Sequence, residues 1–204
     1  MEGKIKMEII KFRPDDISGI AQKVIKRLKN NEIGVISSDT SYGLVTLVRN
    51  RNINRLLKIK GRLKRKPISV FVPDLDFLDQ LVLINQSQRQ FIQDHLDKPH
   101  TFILELESEL KEQYQIIAPQ GKVGIRIVAV PFLQVILKAL NEPLTATSAN
   151  FSNQPNCYSL KEFINQFKNQ TNQPDFFVDA GKLAFRKPST VIDLTVFPYQ
   201  TIRK

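Results

Sequence analysis

Short apolar runs alternate with amphipathic segments along most of this chain, and this alternation limits the folds open to it. The apolar runs predict strands at residues 9–12, 34–36, 44–48, 68–72, 101–106, 124–128, 143–147, 176–178 and 189–194. Helical spacing predicts helices at residues 17–28, 53–57, 131–140 and 160–167, with two short helices between 74 and 96. Such alternation is typical of an α/β fold, and we predict a single domain, residues 1–204, built on a twisted mixed β-sheet.

The most basic stretch of the chain lies between a predicted helix and a predicted strand. It reads Lys58-Ile-Lys-Gly-Arg-Leu-Lys-Arg-Lys-Pro67, and no acidic residue occurs between Asp39 and Asp74. A local surplus of positive charge favours an anion site, most often for phosphate, although a solvated face or a targeting tag has the same composition. Because the run connects two regular elements, we expect a fixed loop rather than a loose tail, which favours the site.

The rest of the composition narrows the possible classes of function. The one cysteine, Cys157, leaves no internal disulfide and fits a cytoplasmic protein, and Cys157 itself is expected to be inert. With two histidines, His95 and His100, no metal centre of His and Cys is expected. The first residues lack the apolar core of a signal peptide and no apolar run could cross a membrane, so no membrane partner is expected. The glycine-rich nucleotide fingerprints are missing, so side chains and a helix terminus would have to hold any phosphate.

Two polar features stand in or directly after predicted strands. Arg126 lies within the apolar strand 124–128, where a charge needs a partner or a ligand. Ser148 and Asn150 follow the strand 143–147; they are typical of a turn, but they could also point into a cleft as hydrogen-bonding groups. On the residues alone, the choice between turn and site stays open.

Five segments, taken in their order along the chain, resemble the YrdC-like family. They are Ser-Asp-Thr-Ser-Tyr-Gly-Leu at 38–44, Ile-Lys-Gly-Arg-x-x-x-Lys-Pro-Ile-Ser-Val at 59–70, Val-Gly-Ile-Arg-Ile at 123–127, Pro-Leu-Thr-Ala-Thr-Ser-Ala-Asn at 143–150 and Pro-Ser-Thr-Val-Ile-Asp-Leu at 188–194. The resemblance covers about residues 15–195. Its most specific part is the pairing of Lys60-x-Arg62 with Ser148-x-Asn150.

The resemblance implies a YrdC-like fold, a twisted mixed sheet with a large basic cavity. It also implies an enzyme, a nucleotidyltransferase that makes threonylcarbamoyl-AMP and pyrophosphate from L-threonine, bicarbonate or CO2, and ATP. In the family this product serves the N6-threonylcarbamoyladenosine modification of tRNA position 37, which partner threonylcarbamoyltransferase proteins complete. Mg2+ is expected with ATP, although no protein ligands for a metal are predicted. The length of the chain resembles the short bacterial form.

The resemblance also assigns roles to individual residues. Lys60 and Arg62 are the expected catalytic residues, which would offset the repulsion between two anionic reactants. The residues expected to bind ATP are Lys60, Arg62, Lys66, Lys122, Ser148, Asn150 and Asn156. Thr40 and Arg126 match the positions that hold L-threonine, with the arginine on the carboxylate. Asp179 and Ser189 carry over from a late segment that departs from the family pattern.

Three further positions differ from the family pattern, and each difference predicts a structural effect. Ser37-Ser38 replaces the usual Pro-Thr, which predicts a looser first loop, and Phe71 replaces a histidine that many relatives have, which removes a threonine contact. Ser152-Asn153 replaces the usual Ser-Gly, which predicts an altered turn.

Two alternatives to this enzyme stay open. One is a non-catalytic YrdC-like module that binds double-stranded RNA or tRNA through the same basic cavity. The other is a related enzyme that makes a different acyl- or carbamoyl-adenylate, which the intact Lys60, Arg62, Ser148 and Asn150 set disfavours. Only Tyr42 and Phe71 are aromatic near the basic run, which disfavours base stacking there.

Overall fold

The computed structural model describes residues 6–62 and 67–203, and the elements follow one another as the alternation predicts. The strands are β1 (Glu8–Lys11), β2 (Gly34–Ser37), β3 (Tyr42–Val45), β4 (Ser69–Val72), β5 (Val82–Leu83), β6 (His100–Leu106), β7 (Lys122–Ile127), β8 (Leu144–Ser148), β9 (Phe176–Asp179), β10 (Thr190–Asp193) and β11 (Gln200–Arg203). The α-helices are α1 (Ile17–Lys29), α2 (Asn50–Ile59), α3 (Leu75–Leu78), α4 (Gln86–Gln93), α5 (Lys111–Tyr114), α6 (Pro131–Leu140) and α7 (Leu160–Phe167), with short 3-10 turns at Pro14–Asp16 and Ser108–Leu110.

The strands join in one mixed sheet in the order β1-β9-β2-β3-β8-β4-β7-β6-β10-β11, with β5 added beside β6. The pairs β1–β9, β9–β2, β4–β7 and β6–β10 are parallel, and the other pairs are antiparallel. The predicted α/β class with a mixed sheet is therefore confirmed.

Side chains alternate between the two faces of the central strands, so the sheet carries an apolar core on each face. Val70 and Val72 of β4 belong to a core that includes residues of α2 and α7, whereas Phe71 between them belongs to the core under α1 and α6. Helix α1 begins at Asp16, whose carboxylate accepts a hydrogen bond from the Gly19 N–H, and buries one apolar face.

The structure adds elements that the apolar pattern did not predict. Strand β5 has two residues, α5 has four, and β11 is exposed along its whole length, so none carries a strong periodic signal. The predicted strand 44–48 lies instead at β3, two residues earlier, and Leu47 forms an isolated bridge with Leu144. None of the helices in the described part is both long and apolar enough to cross a bilayer.

Candidate active site

The two signature segments of the sequence meet at the end of α2. Lys60 is 1% exposed, and its ammonium donates to the carbonyl of Ser148 at 2.5 Å. It also donates to the carbonyl of Asn150 at 3.1 Å and to Asn150 Oδ1 at 3.0 Å. Three N–H groups thus meet three acceptors, and Lys60 ties α2 to the segment that follows β8.

Gly61 allows the turn between Lys60 and Arg62. Its φ of 61° lies in the left-handed region, and a β-carbon there would collide with the ring of Phe151. The N–H of Ser152 donates to the Lys60 carbonyl at 2.8 Å, which closes the contact from the other side. The glycine between the two predicted cations is therefore required for the packing of this turn.

The side chain of Asn150 bonds to the last residue of β8 and to a residue of the loop after it, and so holds this loop together. Its Oδ1 accepts from the Ser148 hydroxyl at 2.6 Å, and its Nδ2 donates to the Gln154 carbonyl at 2.5 Å. Asn153, where glycine was expected, has a φ of 66°, a conformation that asparagine tolerates. The turn at Asn153 is thus left-handed without glycine, and whether it is altered relative to the family stays a prediction.

Burial changes the acidity of the groups at this junction. Desolvation, with a smaller effect of the nearby charge of Arg62, lowers the pKa of Lys60 to about 7. Desolvation, with a smaller effect of Glu162, raises the pKa of the Cys157 thiol to about 12. Cys157 therefore stays a neutral thiol at physiological pH, in line with the expectation that it is inert.

A cavity of about 240 Å³ lies against the sheet and brings several predicted residues together. Thr40, Arg62, Arg126, Ser148, Asn156 and Ser189 all line it. Ser69 and Phe71 of β4 also line it, so the cavity lies on the sheet face that carries α1 and α6. Residues 63–66 lie outside the described ranges, so the large basic cavity that the resemblance implies stays a prediction.

The floor of this central cavity is a row of residues that crosses five strands. Phe71 pairs with Arg126, Thr101 pairs with Val191, and Val191 pairs with Arg203. The register of Phe102 with Ile125 places Thr101 beside Arg126 and joins the two halves of the row.

Arg126 is the most constrained charge in the row. It is 7% exposed, its Nη2 donates to the Asp39 carboxylate at 2.5 Å, and its guanidinium carbon lies 5.1 Å from the centre of the Phe71 ring. Desolvation lowers its pKa, which the Asp39 carboxylate partly offsets. Within residues 6–62 and 67–203, no acceptor lies in hydrogen-bond range of its buried Nε. The expectation that this charge needs a partner is met by Asp39, and the buried Nε–H has no partner among the described residues.

Sequence reasoning missed Arg203, the third arginine in the cavity lining. Its Nη2 donates to the Ser189 carbonyl at 2.9 Å, and Ser189 in turn shares a 2.8 Å hydrogen bond with Thr101. The charge of Arg203 also lowers the pKa of Arg126. Strand β11 has four residues and one apolar side chain, Ile202, so no local pattern predicts a strand that would place Arg203 in a site.

Five predicted residues either do not line the central cavity or lie outside the described residues: Lys60, Lys66, Lys122, Asn150 and Asp179. Lys122, at the start of β7, donates to Thr195 Oγ1 at 2.6 Å and is not part of the lining. Asp179 accepts from the Gly181 N–H at 3.0 Å, and Asn150 lies behind the lining with Lys60. Lys66 lies outside the described residues, as do Lys64 and Arg65.

The two other departures from the family pattern also have structural outcomes. Ser38, in place of threonine, bonds to Thr40 Oγ1 at 3.2 Å and donates to the Ser41 carbonyl at 2.8 Å, so the loop is held by a local network. Phe71 supports the Arg126 guanidinium with its ring face.

A second depression, the side groove, adjoins the central cavity. It has a volume of about 430 Å³ and shares Ser38 and Thr40 with the cavity. Its lining includes Asp39, Lys98 and Arg186 beside apolar residues around 127–131 and 183–184.

The chain belongs to the Sua5/YciO/YrdC family. The family model, described as "Telomere recombination", matches residues 26–204. A human protein named threonylcarbamoyl-AMP synthase is 26% identical over 179 residues, which cover 84% of this chain and 62% of the human protein. The fold thus defines the class of protein, a domain of this family.

Solved structures of the family share the fold. The structure of P. abyssi Sua5 complexed with L-threonine superposes with a TM-score of 0.83 at 20% identity, covering 98% of this chain and 57% of that one. E. coli YciO superposes with a TM-score of 0.82 at 20% identity, covering 98% and 96%. The chain therefore spans about three fifths of the human and Sua5 proteins and nearly all of YciO.

Proposed function

We propose that this protein is a threonylcarbamoyl-AMP synthase, a nucleotidyltransferase that joins L-threonine, CO2 or bicarbonate, and ATP. The observation that carries the proposal is the buried guanidinium of Arg126, which lines the cavity and has Asp39 as its one side-chain hydrogen-bond partner among the described residues. A buried guanidinium with a spare donor suits a carboxylate ligand, because charge-assisted hydrogen bonds to carboxylates are strong and directional. The names of the human relative and of the threonine-bound Sua5 structure support the same substrate.

The threonine site would lie between Arg126 and the loop after β2. Thr40 lines the cavity, and its hydroxyl, which bonds to Ser38, would keep an acceptor lone pair for a donor group of the amino acid. Asp39 keeps Arg126 in place through its 2.5 Å contact, and the Phe71 ring limits the guanidinium from one face. These contacts would fix the threonine carboxylate before the reaction begins.

The phosphates of ATP would meet Arg62 and Arg203, which are the other arginines of the lining. Desolvation lowers the pKa of Arg62, so its charge is partly removed from water and acts more strongly on an anion. Arg203 is held by the Ser189 carbonyl, which fixes its position. Together they would offset the repulsion between a triphosphate and the amino acid carboxylate.

The nucleoside end of ATP would lie toward Ser148 and Asn156, both in the lining. Lys60 has all three N–H groups engaged by Ser148 and Asn150, so we assign it a positioning role for that loop rather than a direct phosphate contact. This changes the role that the resemblance implies for Lys60, but not its importance. Lys66 and Lys122 keep their predicted ATP contacts only as predictions.

The proposed reaction has two steps. The threonine amine attacks CO2 and loses a proton, which gives a carbamate. A carbamate oxygen then attacks the α-phosphorus of ATP, the bond from that phosphorus to the β-bridging oxygen breaks, and pyrophosphate leaves. No side-chain nucleophile is needed, so catalysis rests on positioning and on the arginine charges.

Several finer expectations stay predictions. Mg2+ would arrive as the counter-ion of ATP; in the described ranges, no group of three His, Cys, Asp or Glu side chains is placed to hold a metal ion. Use of the product in the modification of tRNA position 37 with transferase partners, a cytoplasmic location, and the extent of one domain over 1–204 are likewise proposals.

The deciding experiment supplies the full chain with ATP, Mg2+ and labelled bicarbonate, with and without L-threonine. We expect a labelled adenylate and pyrophosphate only when threonine is present. Pyrophosphate that forms equally without threonine, or not at all, would overturn the proposal.

A substitution separates this enzyme from the duplex-RNA alternative. Arg62→Ala should abolish adenylate formation, because Arg62 faces the cavity, whereas Arg51→Ala on the exposed side of α2 should not. For a module that binds duplex RNA by charge alone, the two substitutions should weaken salt-dependent RNA binding alike.

A further inference from the structure

An exposed aromatic side chain lies on the segment that borders both cavities. Residues 180–188, here called the strap, connect β9 to β10 without regular structure. Phe185 at the centre of the strap is 77% exposed. Ala184 and Arg186, on either side of Phe185, line the side groove, and Pro188 of the strap lines the central cavity.

The strap holds this ring in a defined position. The Leu183 N–H donates to the Tyr158 carbonyl at 2.8 Å, and the Tyr158 hydroxyl donates to the Arg186 carbonyl at 3.1 Å. Leu183 packs against the core, while the Phe185 ring lies outside it, 5.5 Å from the Tyr158 ring and tilted by 47°. Because these bonds hold the backbone on both sides of Phe185, a planar group that stacks on the ring would order little further backbone.

The charged side chains of the strap itself have one sign, and the nearby carboxylates belong to other segments: Asp39 and Asp97 in the side groove, and Glu162 beside Tyr158. Lys182, Arg186 and Lys187 of the strap are exposed, and the sequence has no acidic residue between Asp179 and Asp193. The Arg186 Nη1 donates to the carbonyl of Asp39 at 3.4 Å, which keeps this cation at the edge of the groove. An isolated exposed phenylalanine is common in proteins, but one flanked by three cations is matched to a planar anion.

We propose that the strap is a docking surface for unpaired nucleotides of a single-stranded nucleic acid. One base would stack on Phe185, and the flanking phosphates would contact Lys182 and Lys187, the combination by which proteins hold single strands without reading sequence. The aromatic that the basic run lacked is therefore supplied by a different segment, next to the cavity. This inference does not depend on the proposed reaction.

The test measures binding of the full chain by fluorescence anisotropy to three labelled probes of one sequence. They are an RNA hairpin with an unpaired loop, the corresponding DNA hairpin, and a fully paired RNA duplex. Phe185→Ala should weaken binding of the loop probes about tenfold, which is the typical effect of losing one stacked base. Phe197→Ala is the matched control, because Phe197 is 90% exposed in the turn between β10 and β11 and lies outside the strap. The RNA and DNA arms decide which nucleic acid the surface prefers.

Several outcomes would overturn the proposal. They are equal affinities of wild type and Phe185→Ala, equal losses in Phe185→Ala and Phe197→Ala, and duplex binding as tight as loop binding. Displacement of the RNA by an acidic peptide at equal concentration would instead identify an acidic protein partner. Lys187→Ala should lower the salt dependence of binding more than Lys168→Ala, an exposed lysine at the end of α7. Because Phe185 is not in the lining of either cavity, Phe185→Ala should keep adenylate formation, so this test and the test of the enzyme can fail separately.

Discussion

Lys60 and Arg126 are both buried cations with a pKa that burial lowers, yet they are placed for different tasks. The Lys60 ammonium has acceptors for all three of its N–H groups, from Ser148 and Asn150. The Arg126 guanidinium has one carboxylate partner, Asp39, and its Nε has none among the residues described. Lys60 is thus saturated by the protein, whereas Arg126 has a donor left for a ligand.

This difference shows that a signature residue need not be a ligand contact. Lys60 holds the loop that carries Ser148 at the cavity. Arg126 lies in the cavity floor, where a carboxylate would contact it. Substitutions in the two regions should therefore affect different measurements, and the following tests are ordered from the largest expected effect.

The largest effect is expected for Arg126→Ala. Loss of a buried charge-assisted contact to a carboxylate costs about 4 kcal/mol, so kcat/KM for L-threonine should fall about a thousandfold. KM for ATP should change much less. Steady-state kinetics measure both, with Arg51→Ala as an exposed arginine control. A larger change in KM for ATP than for threonine would place Arg126 on the phosphate side instead.

Lys60→Met should act mainly on stability. The substitution keeps the length of the side chain but leaves two carbonyls and Asn150 Oδ1 without their donor, which should lower the free energy of unfolding by about 3 kcal/mol. Urea denaturation measures it, with the exposed Lys58→Met on the same helix as the control. A Lys60→Met protein that is as stable as wild type but inactive would show that Lys60 acts on the ligand, contrary to our assignment.

The pH dependence of the free energy of unfolding should report the lowered pKa of Lys60. With its pKa lowered to about 7, folded Lys60 is largely neutral at pH 9, while an unfolded lysine is still protonated. The unfolded chain then binds more protons, so the free energy of unfolding should rise between pH 7 and 9, by about 2 kcal/mol. Above pH 9 the Cys157 thiol, whose pKa burial raises to about 12, opposes this rise. The difference between wild type and Lys60→Met over this window isolates Lys60, and parallel curves would contradict the lowered pKa.

The smallest effect on the free energy of unfolding is expected for substitution of Asn153, in the loop after β8. Alanine tolerates a φ of 66° less well than asparagine, so Asn153→Ala should lower the free energy of unfolding by about 1 kcal/mol. Asn153→Gly should leave it unchanged or slightly higher, because glycine adopts this conformation freely. Thermal unfolding of the three proteins gives the order, and an alanine variant as stable as wild type would mean that the turn does not need the left-handed conformation.

The sequence predicted the fold and part of the site, for identifiable reasons. The α/β class followed from periodicity, and the meeting of Lys60 with Ser148 and Asn150 followed from the resemblance of two distant segments. Arg203 could not be predicted, since its place in the cavity depends on the pairing of β11 with β10, which no local pattern specifies. Lys122, expected at the ATP, lies on β7 four residues from Arg126 and donates to Thr195 rather than lining the cavity, so its contact with ATP stays a prediction. Which residues of a strand reach the cavity depends on the register of strand pairing, and composition does not specify that register.

The row from Phe71 to Arg203 also determines when the cavity floor is completed as the chain is synthesised and folds. During synthesis the last member of the row emerges long after the first, so the floor is incomplete until the final strand has paired. Partly folded chains would present Arg126 without Arg203 and would bind a polyanion weakly. Affinity for a phosphate ligand can therefore report that folding is complete. A measurement of helix content alone would not detect that the final strand is still unpaired.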